Sequence, residues 1–382
     1  MKHIAILGST GSIGRSALRV IKSFPDIFRV TALSAHSNIE LLEEQIKLFR
    51  PEAVAINDDR AALRLSKRIG AKTRILVGQD GLTALCKMRK VDRVLLAISG
   101  SRALKPLLTA INNGKDVALA NKEALVMAGP LIMRQAAKNG SKILPVDSEQ
   151  SAIWQCLDGE DHKKLKGIIL TASGGPFRRT RLSELKKVSV SKVLRHPRWK
   201  MGAKITVDSA TLLNKGLELL EAMFLFGLPC DKVKVVVHPE AIIHSMVEFI
   251  DGVILAQMSV TDMRIPIQYA LSYPERYPCT IAGVDFWKLG KLHFEKPDFK
   301  KFPCLGLSYK AAQDLGTMPA VLNAANEVAV EEFLNKKLDF LSIPKVIERV
   351  MLKHKNVVNF DLKDVFSADS WARQEAQRFI KP

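Results

Sequence analysis

Lys2-His3-Ile4-Ala5-Ile6-Leu7, running straight into Gly8-Ser9-Thr10-Gly11-Ser12-Ile13-Gly14 and then into a helix-like segment from Arg15 to Phe24, decides the fold of this 382-residue chain. A short apolar strand, a glycine-rich turn and a helix together form the opening of a nucleotide-binding unit. The glycines let the backbone approach a pyrophosphate, which the helix N-terminus then meets with free N–H groups and the positive end of its dipole. The spacing is GxxGxxG rather than GxGxxG, so the turn alone could be only a turn. Its place between a strand and a helix is what points to a dinucleotide.

Outward from that turn, strand-like runs at Phe28 to Leu33, Ala53 to Ile56, Arg74 to Val77, Val94 to Ile98, Val117 to Leu119 and Ile143 to Val146 alternate with helix-length segments. This rhythm predicts an α/β domain over residues 1–147, a Rossmann-like parallel sheet with helices on both faces. The second strand leads into Ser34-Ala35-His36-Ser37-Asn38 and carries no carboxylate for a ribose 2′-hydroxyl. Small polar groups and a His36 able to carry charge suit a 2′-phosphate, so NADPH is expected over NADH.

Two later stretches carry chemistry. Pro145-Val146-Asp147-Ser148-Glu149 follows a strand, which would project Asp147 and Glu149 from one side of an extended backbone. Asp208-Ser209-Ala210-Thr211-Leu212-Leu213-Asn214-Lys215-Gly216-Leu217-Glu218 reads as a helix, with Asp208 or Ser209 as N-cap and Asn214 and Glu218 stacked at i, i+4. Two close acids and one from elsewhere make an oxygen-only site for Mg²⁺ or Mn²⁺, and Ser209, Asn214 and Lys215 supply donors for an anion beside it. The plainer alternative is a capping acid, a strand-end acid and a solvated helix acid.

The strand Gly167 to Thr171 ends in Ser173-Gly174-Gly175, a turn able to offer a hydroxyl and free amides to an oxyanion. The polar segment that follows contains His196 and Trp199, and residues 173–203 are expected to form a flexible lid. Met246 to Leu255 reads as a hairpin around Asp251-Gly252, so residues 148–272 are expected to be an α+β catalytic and dimerisation domain. Residues 273–303, rich in Pro and Lys, are expected to link it to a C-terminal helical domain over 304–382 in which no chemistry is visible.

Composition narrows the class. At 47% hydrophobic and 25% charged the chain is an ordinary globular sequence with no apolar run of membrane-spanning length. A strand starting at residue 2 leaves no room for a leader, which gives the expectation of a cytoplasmic enzyme of a bacterium-like cell. Five scattered cysteines without a CxxC fit reduced thiols, and eight histidines form no HxxxH or HxH pair, so the acids are the visible ligand cluster. The net charge of +19 could serve nucleic acid, but no basic-aromatic repeat accompanies it. Between Arg178 and Lys204 stand ten Lys or Arg residues against one acid, Glu184, a density better suited to attracting phosphate.

Taken together, LGSTGSIG at Leu7 to Gly14, LANKEALV at Leu119 to Val126, PVDSE at Pro145 to Glu149, SGGPF at Ser173 to Phe177, RHPRWKMG at Arg195 to Gly202 and VDSATLLNKGLE at Val207 to Glu218 closely resemble the 1-deoxy-D-xylulose 5-phosphate reductoisomerase family. HSMV at His244 and the NAANE run at Asn323 extend the match in order over essentially the whole chain. The resemblance implies NADPH- and metal-dependent conversion of 1-deoxy-D-xylulose 5-phosphate to 2-C-methyl-D-erythritol 4-phosphate, in the non-mevalonate route to isoprenoids, by a homodimer. It implies a metal held by Asp147, Glu149 and Glu218. Ser148, Ser173, His196, Trp199, Ser209, Asn214 and Lys215 would then hold or cover the substrate, Lys122 would reach its reacting oxygens, and Lys122 and Glu149 would be catalytic. Thr10, Gly11, Ser12, Ile13, His36, Ser37, Asn38, Asn121, Glu123 and Gly202 would contact NADPH. His36-Ser37 departs from the Gly-Lys or Gly-Ser common in the family at this point. A simple NADP-dependent dehydrogenase is the rival among enzymes, but it has no obvious need for three acids beside a phosphate cradle.

Overall fold

The computed structural model describes residues 1–70, 72–195, 198 and 201–380. The chain divides into two compact units, the first comprising residues 1–124, 132–151 and 262–280, the second 125–131, 152–261 and 281–382.

The first unit holds a seven-stranded parallel sheet of β1 (Lys2–Leu7), β2 (Phe28–Ala35), β3 (Ala53–Ile56), β4 (Arg74–Val77), β5 (Arg93–Leu96), β6 (Asp116–Leu119) and β7 (Ile143–Pro145). Their order is β4-β3-β2-β1-β5-β6-β7. β1 is central because its Ile4, Ala5, Ile6 and Leu7 are apolar on both faces, and all four are fully buried. Each such Ile or Leu contributes about 1.5–3 kcal/mol by leaving water. Chain direction around β1 makes it the switch point of the sheet: β2 to β4 run out on one side and β5 to β7 on the other, which opens a crevice at the carboxyl end of β1.

The helix Arg264–Ser272 belongs to this unit, and two cations dock its C-terminus. Arg93 donates to the carbonyls of Ala270 and Leu271 at 2.8 and 2.7 Å and pairs with Asp116 at 2.9 Å, while Lys2 reaches the carbonyls of Ser272 and Tyr273 at 2.8 Å each. Positive groups here satisfy the last carbonyls and offset the negative end of the helix dipole.

The second unit holds a four-stranded sheet of β8 (Leu165–Ala172), β9 (Val233–Val237), β10 (Ile243–Phe249) and β11 (Ile254–Met258) in the order β11-β10-β8-β9. β8 and β9 are parallel, whereas β10 is antiparallel to both β8 and β11. The Asp-Gly turn expected from sequence closes the β10–β11 hairpin, with Val253 N–H on the Asp251 carboxylate at 3.0 Å. Leu217 and Leu220 of the helix Leu213–Phe226 share one core with Leu305, Val321 and Ile347 of the C-terminal helices, so those helices complete the interior over which the site is built.

Burial also sets the thiols apart. Cys86 and Cys304 are buried, and desolvation pushes both thiols up to about 12, while Cys279 is exposed. With a thiol reagent at pH 8, Cys279 should react at once and Cys86 and Cys304 only after unfolding, because the thiolate is the reactive form. Residue-resolved mass spectrometry checks this, and early labelling of Cys86 or Cys304 in native protein would contradict it.

Candidate active site

The glycine-rich turn is held by buried polar groups that the sequence reading missed. Ser9 donates to the Gln45 carbonyl oxygen at 2.7 Å, Gln45 returns a bond to the Ser9 carbonyl at 3.0 Å, and Gly8 N–H donates to Ser34 Oγ at 2.9 Å. The signal was present: Ser34 interrupts an apolar strand and Gln45 an apolar helix face. Gly8 has φ +92°, and a Cβ there would stand 2.5 Å from the Ala97 carbonyl oxygen, so only glycine lets the turn press against the chain after β5. The helix Ser12–Ser23 starts at Gly11 with no side-chain cap, which leaves its first amides for a ligand. Thr10 and Ile13 are half-buried beside exposed Gly11 and Ser12. His36, Ser37 and Asn38 are exposed past β2, and Asn38 caps the helix Ile39–Phe49 through Leu41 N–H at 3.0 Å.

Asn121 and Glu123 are buried and occupied with structure. Asn121 caps the helix Lys122–Asn139 through Ala124 N–H at 2.8 Å and donates to the carbonyls of Ile98 and Gly100 and to the Glu123 carboxylate. It therefore ties the chain after β5 to the chain after β6, at the carboxyl end of the sheet.

The sequence predicts extended backbone through Glu149, but the strand stops at Pro145 and the helix Ser148–Leu157 begins. The Asp147 carbonyl accepts from Ser151 N–H at 2.9 Å, which makes Asp147 the flanking residue and puts Glu149 in the first turn, where a carboxylate favours the helix dipole. Asp followed by Ser-Glu is a helix-start pattern, and that signal outweighs the apolar run before it. Lys122, almost fully buried, pairs with Asp147 at 2.8 Å, and Ser148 Oγ donates to Glu149 at 2.6 Å.

Asp208 and Ser209 are not N-caps either. They lie in the last turn of the helix Ala203–Thr211, whose exposed N-cap is Gly202; Leu212 takes a left-handed φ of 60°, and the helix Leu213–Phe226 starts afresh. Asn214 and Lys215 thus fall in a first turn, and both donate to the buried Glu218 carboxylate. Ser173 lies in a turn whose Gly174 and Gly175 have φ of +82° and +67°. A Cβ on Gly175 would stand 2.7 Å from the Ser209 carbonyl oxygen, so the absence of a side chain brings the Ser173 turn against the Ser209 helix. Together these segments gather hydroxyl, amide and ammonium donors suited to a phosphate. His196 and Trp199 lie outside the described residues, while Leu185 and Val193 of the expected 173–203 lid are buried in the core of the second unit.

Asp147 precedes the helix Ser148–Leu157 and Glu149 stands in its first turn, both in the first unit, while Glu218 is buried on the helix Leu213–Phe226 of the second. An all-oxygen set of carboxylates fits a hard divalent ion.

Asp208 was expected as a cap and instead anchors the site from below. It is buried, paired with Lys204 at 2.8 Å and bonded by Asn326 Nδ2 at 2.9 Å, so the C-terminal helix Met318–Leu334 holds the helix that carries Ser209.

Three family models match the chain. One described as 1-deoxy-D-xylulose 5-phosphate reductoisomerase covers residues 4–129, and two for C-terminal domains of the same enzyme cover 143–226 and 258–375. Curated relatives named 1-deoxy-D-xylulose 5-phosphate reductoisomerase include one from Pelotomaculum thermopropionicum, 50% identical over 100% of this chain and 99% of its own length. Another, from Caldanaerobacter subterraneus subsp. tengcongensis, is 50% identical over 99% of each. Among solved structures, the reductoisomerase of Zymomonas mobilis in complex with NADPH superposes with a TM-score of 0.93 at 41% identity, covering 100% of this chain and 99% of that one. A reductoisomerase in complex with NADPH, fosmidomycin and magnesium gives 0.94 at 38%, covering 100% and 98%.

Proposed function

The chain belongs to the 1-deoxy-D-xylulose 5-phosphate reductoisomerase family, and on that premise we propose how its residues divide the work. The reaction is the NADPH- and divalent-metal-dependent rearrangement and reduction of 1-deoxy-D-xylulose 5-phosphate to 2-C-methyl-D-erythritol 4-phosphate, a step of isoprenoid synthesis.

Asp147, Glu149 and Glu218 hold the divalent ion, Mg²⁺ or Mn²⁺, which when bound supplies a Lewis acid for oxygens that gain negative charge. The observation that carries this reading is the match over the whole chain to a reductoisomerase in complex with magnesium, with Glu149 in the first turn after Asp147 and Glu218 buried on its helix. NADPH supplies the hydride. Lys122 orients Asp147 through their ion pair, and sets a positive charge beside the reacting oxygens. Glu149, oriented by Ser148, stands where it can also take or return a proton. Ser173, Ser209, Asn214 and Lys215 receive the phosphate; Asn214 and Lys215 now donate to Glu218, and a phosphate would draw those donors toward itself. The amides of Ser12 and Ile13, with Thr10 and Gly11 lining the turn, receive the pyrophosphate of NADPH, and His36, Ser37 and Asn38 its 2′-phosphate.

NADPH absorbance with purified protein, substrate and Mn²⁺ or Mg²⁺ tests the assignment. Turnover should vanish in EDTA and return with either ion, and kcat/KM should favour NADPH over NADH by at least about ten-fold, equivalent to 1.4 kcal/mol. Full activity after exhaustive chelation, or equal use of both nucleotides, would refute the corresponding assignment.

Location and assembly follow the same reading. All five cysteines are unpaired and no described helix is long and apolar enough to cross a membrane, which supports a cytoplasmic enzyme. β11 is a sheet edge with exposed Ile254 and Leu255, flanked by exposed Ile250 and Val253, and such an edge pairs readily with its own copy. The double variant Ile254→Lys, Leu255→Lys should convert a dimer to a monomer in sedimentation; an unchanged molar mass would move the interface elsewhere.

A further inference from the structure

The second unit contains a cavity of about 230 Å³ that none of these roles uses. Its wall is mainly apolar, with Phe302, Leu307, Phe340, Leu341 and Pro344 drawn from the helices Pro303–Asp314 and Ile343–Lys353 and the turn before the latter. Apolar chambers accept apolar guests: an engineered one of about 150 Å³ takes up benzene. Three cations, Lys300, Lys301 and Lys345, share the lining with a single acid, Glu348. Lys300 and Lys345 are exposed. Lys301 is half-buried, donating to the Arg178 carbonyl at 3.0 Å and lying 5.2 Å from the Phe302 ring, and burial holds its ammonium below the usual lysine range.

Surplus positive charge beside an apolar chamber is the chemistry that recognises a hydrocarbon chain ending in an anion. One further lining residue gives the cavity a route to the active site. Thr211 ends the helix that carries Ser209, Leu212 follows with φ 60°, and the next helix carries Asn214, Lys215 and Glu218. A guest against Thr211 bears on the joint between the two helices of the phosphate cradle.

We propose that this cavity binds a small amphipathic anion, a chain of about six carbons ending in a phosphate or carboxylate, and that its occupancy alters the affinity of the phosphate cradle. The coupling rests on the functional reading above; the binding does not.

Hexyl phosphate, hexanoate, hexanol and inorganic phosphate are titrated calorimetrically into the full chain with fosmidomycin saturating the cradle. The fosmidomycin heat is recorded first, so that a failure of the cradle assignment is seen separately. Hexyl phosphate or hexanoate should bind at one site at least about ten-fold more tightly than hexanol or inorganic phosphate, and which of the two is tighter identifies the head group. Leu307→Trp fills the chamber and should abolish this binding. Lys345→Glu, on the surface and harmless to the core, should weaken both anions and leave hexanol unchanged. In steady-state assays without fosmidomycin, the tighter anion should change the KM for deoxyxylulose phosphate at least about five-fold in wild type and not in Leu307→Trp. Absence of saturable binding, or binding indifferent to both substitutions, would overturn the site; binding with an unchanged KM would overturn the coupling.

Discussion

Glu218→Gln is expected to lower kcat/KM at least about a hundred-fold, since changes one step removed from a metal already cost about 10–100-fold. Gln keeps the volume and the helix propensity but removes one of the three negative charges proposed, with Asp147 and Glu149, to hold the ion. The structure adds a second consequence. Lys215 and Glu218 are both buried and paired, so the substitution leaves an ammonium without its counter-charge, a loss of about 3–5 kcal/mol if nothing else neutralises it. Activity alone therefore cannot separate a ligand from half of an ion pair. Thermal unfolding with and without Mn²⁺ can: wild type should gain stability from the ion by mass action, and the variant should gain little. Glu221, one turn on, is itself buried and so is a poor control. Glu331→Gln, on an exposed position of another helix, should keep the full Mn²⁺ response. If Glu218→Gln keeps it too, the ligand assignment is wrong.

The two halves of the fold were unequally legible. β1 to β7 were readable because each central strand is an apolar run bounded by turn residues, and β3 and β4 match the expected limits from end to end. The acids are legible as types and not as geometry: the apolar run before Asp147 and Glu149 favours a strand, and the Asp-Ser-Glu start of a helix overrides it. The break at Leu212 could not be read at all. A leucine with positive φ is rare, no Gly or Pro marks the place, and tertiary packing supplies the conformation. The same holds for Arg93 and Lys2, whose partners are main-chain carbonyls near residue 270 that carry no sequence signal. The C-terminal helices show no chemistry in sequence because they act through packing and through the hydrogen bond from Asn326 to Asp208, more than a hundred positions earlier.

That bond gives the last expected result. Asn326→Leu nearly preserves volume and should cost about 1–3 kcal/mol, because buried Asp208 loses a donor it cannot replace with water. The effect should not stop at stability. Asp208 stands next to Ser209, and Lys204, which pairs with Asp208 from within the same helix Ala203–Thr211, cannot replace the tether to the helix Met318–Leu334. A displacement of about 1 Å can cost a hundred-fold in rate, so the KM for deoxyxylulose phosphate should rise and kcat should fall, with the KM for NADPH unchanged. Asn326→Asp should do more damage, since two carboxylates would face each other in a buried place, and part of that damage should be relieved as pH falls and the pair shares a proton. Recovery at low pH in Asn326→Asp but not in Asn326→Leu identifies the contact with Asp208 as the cause. A loss of stability with both Michaelis constants unchanged would confine Asn326 to holding the core.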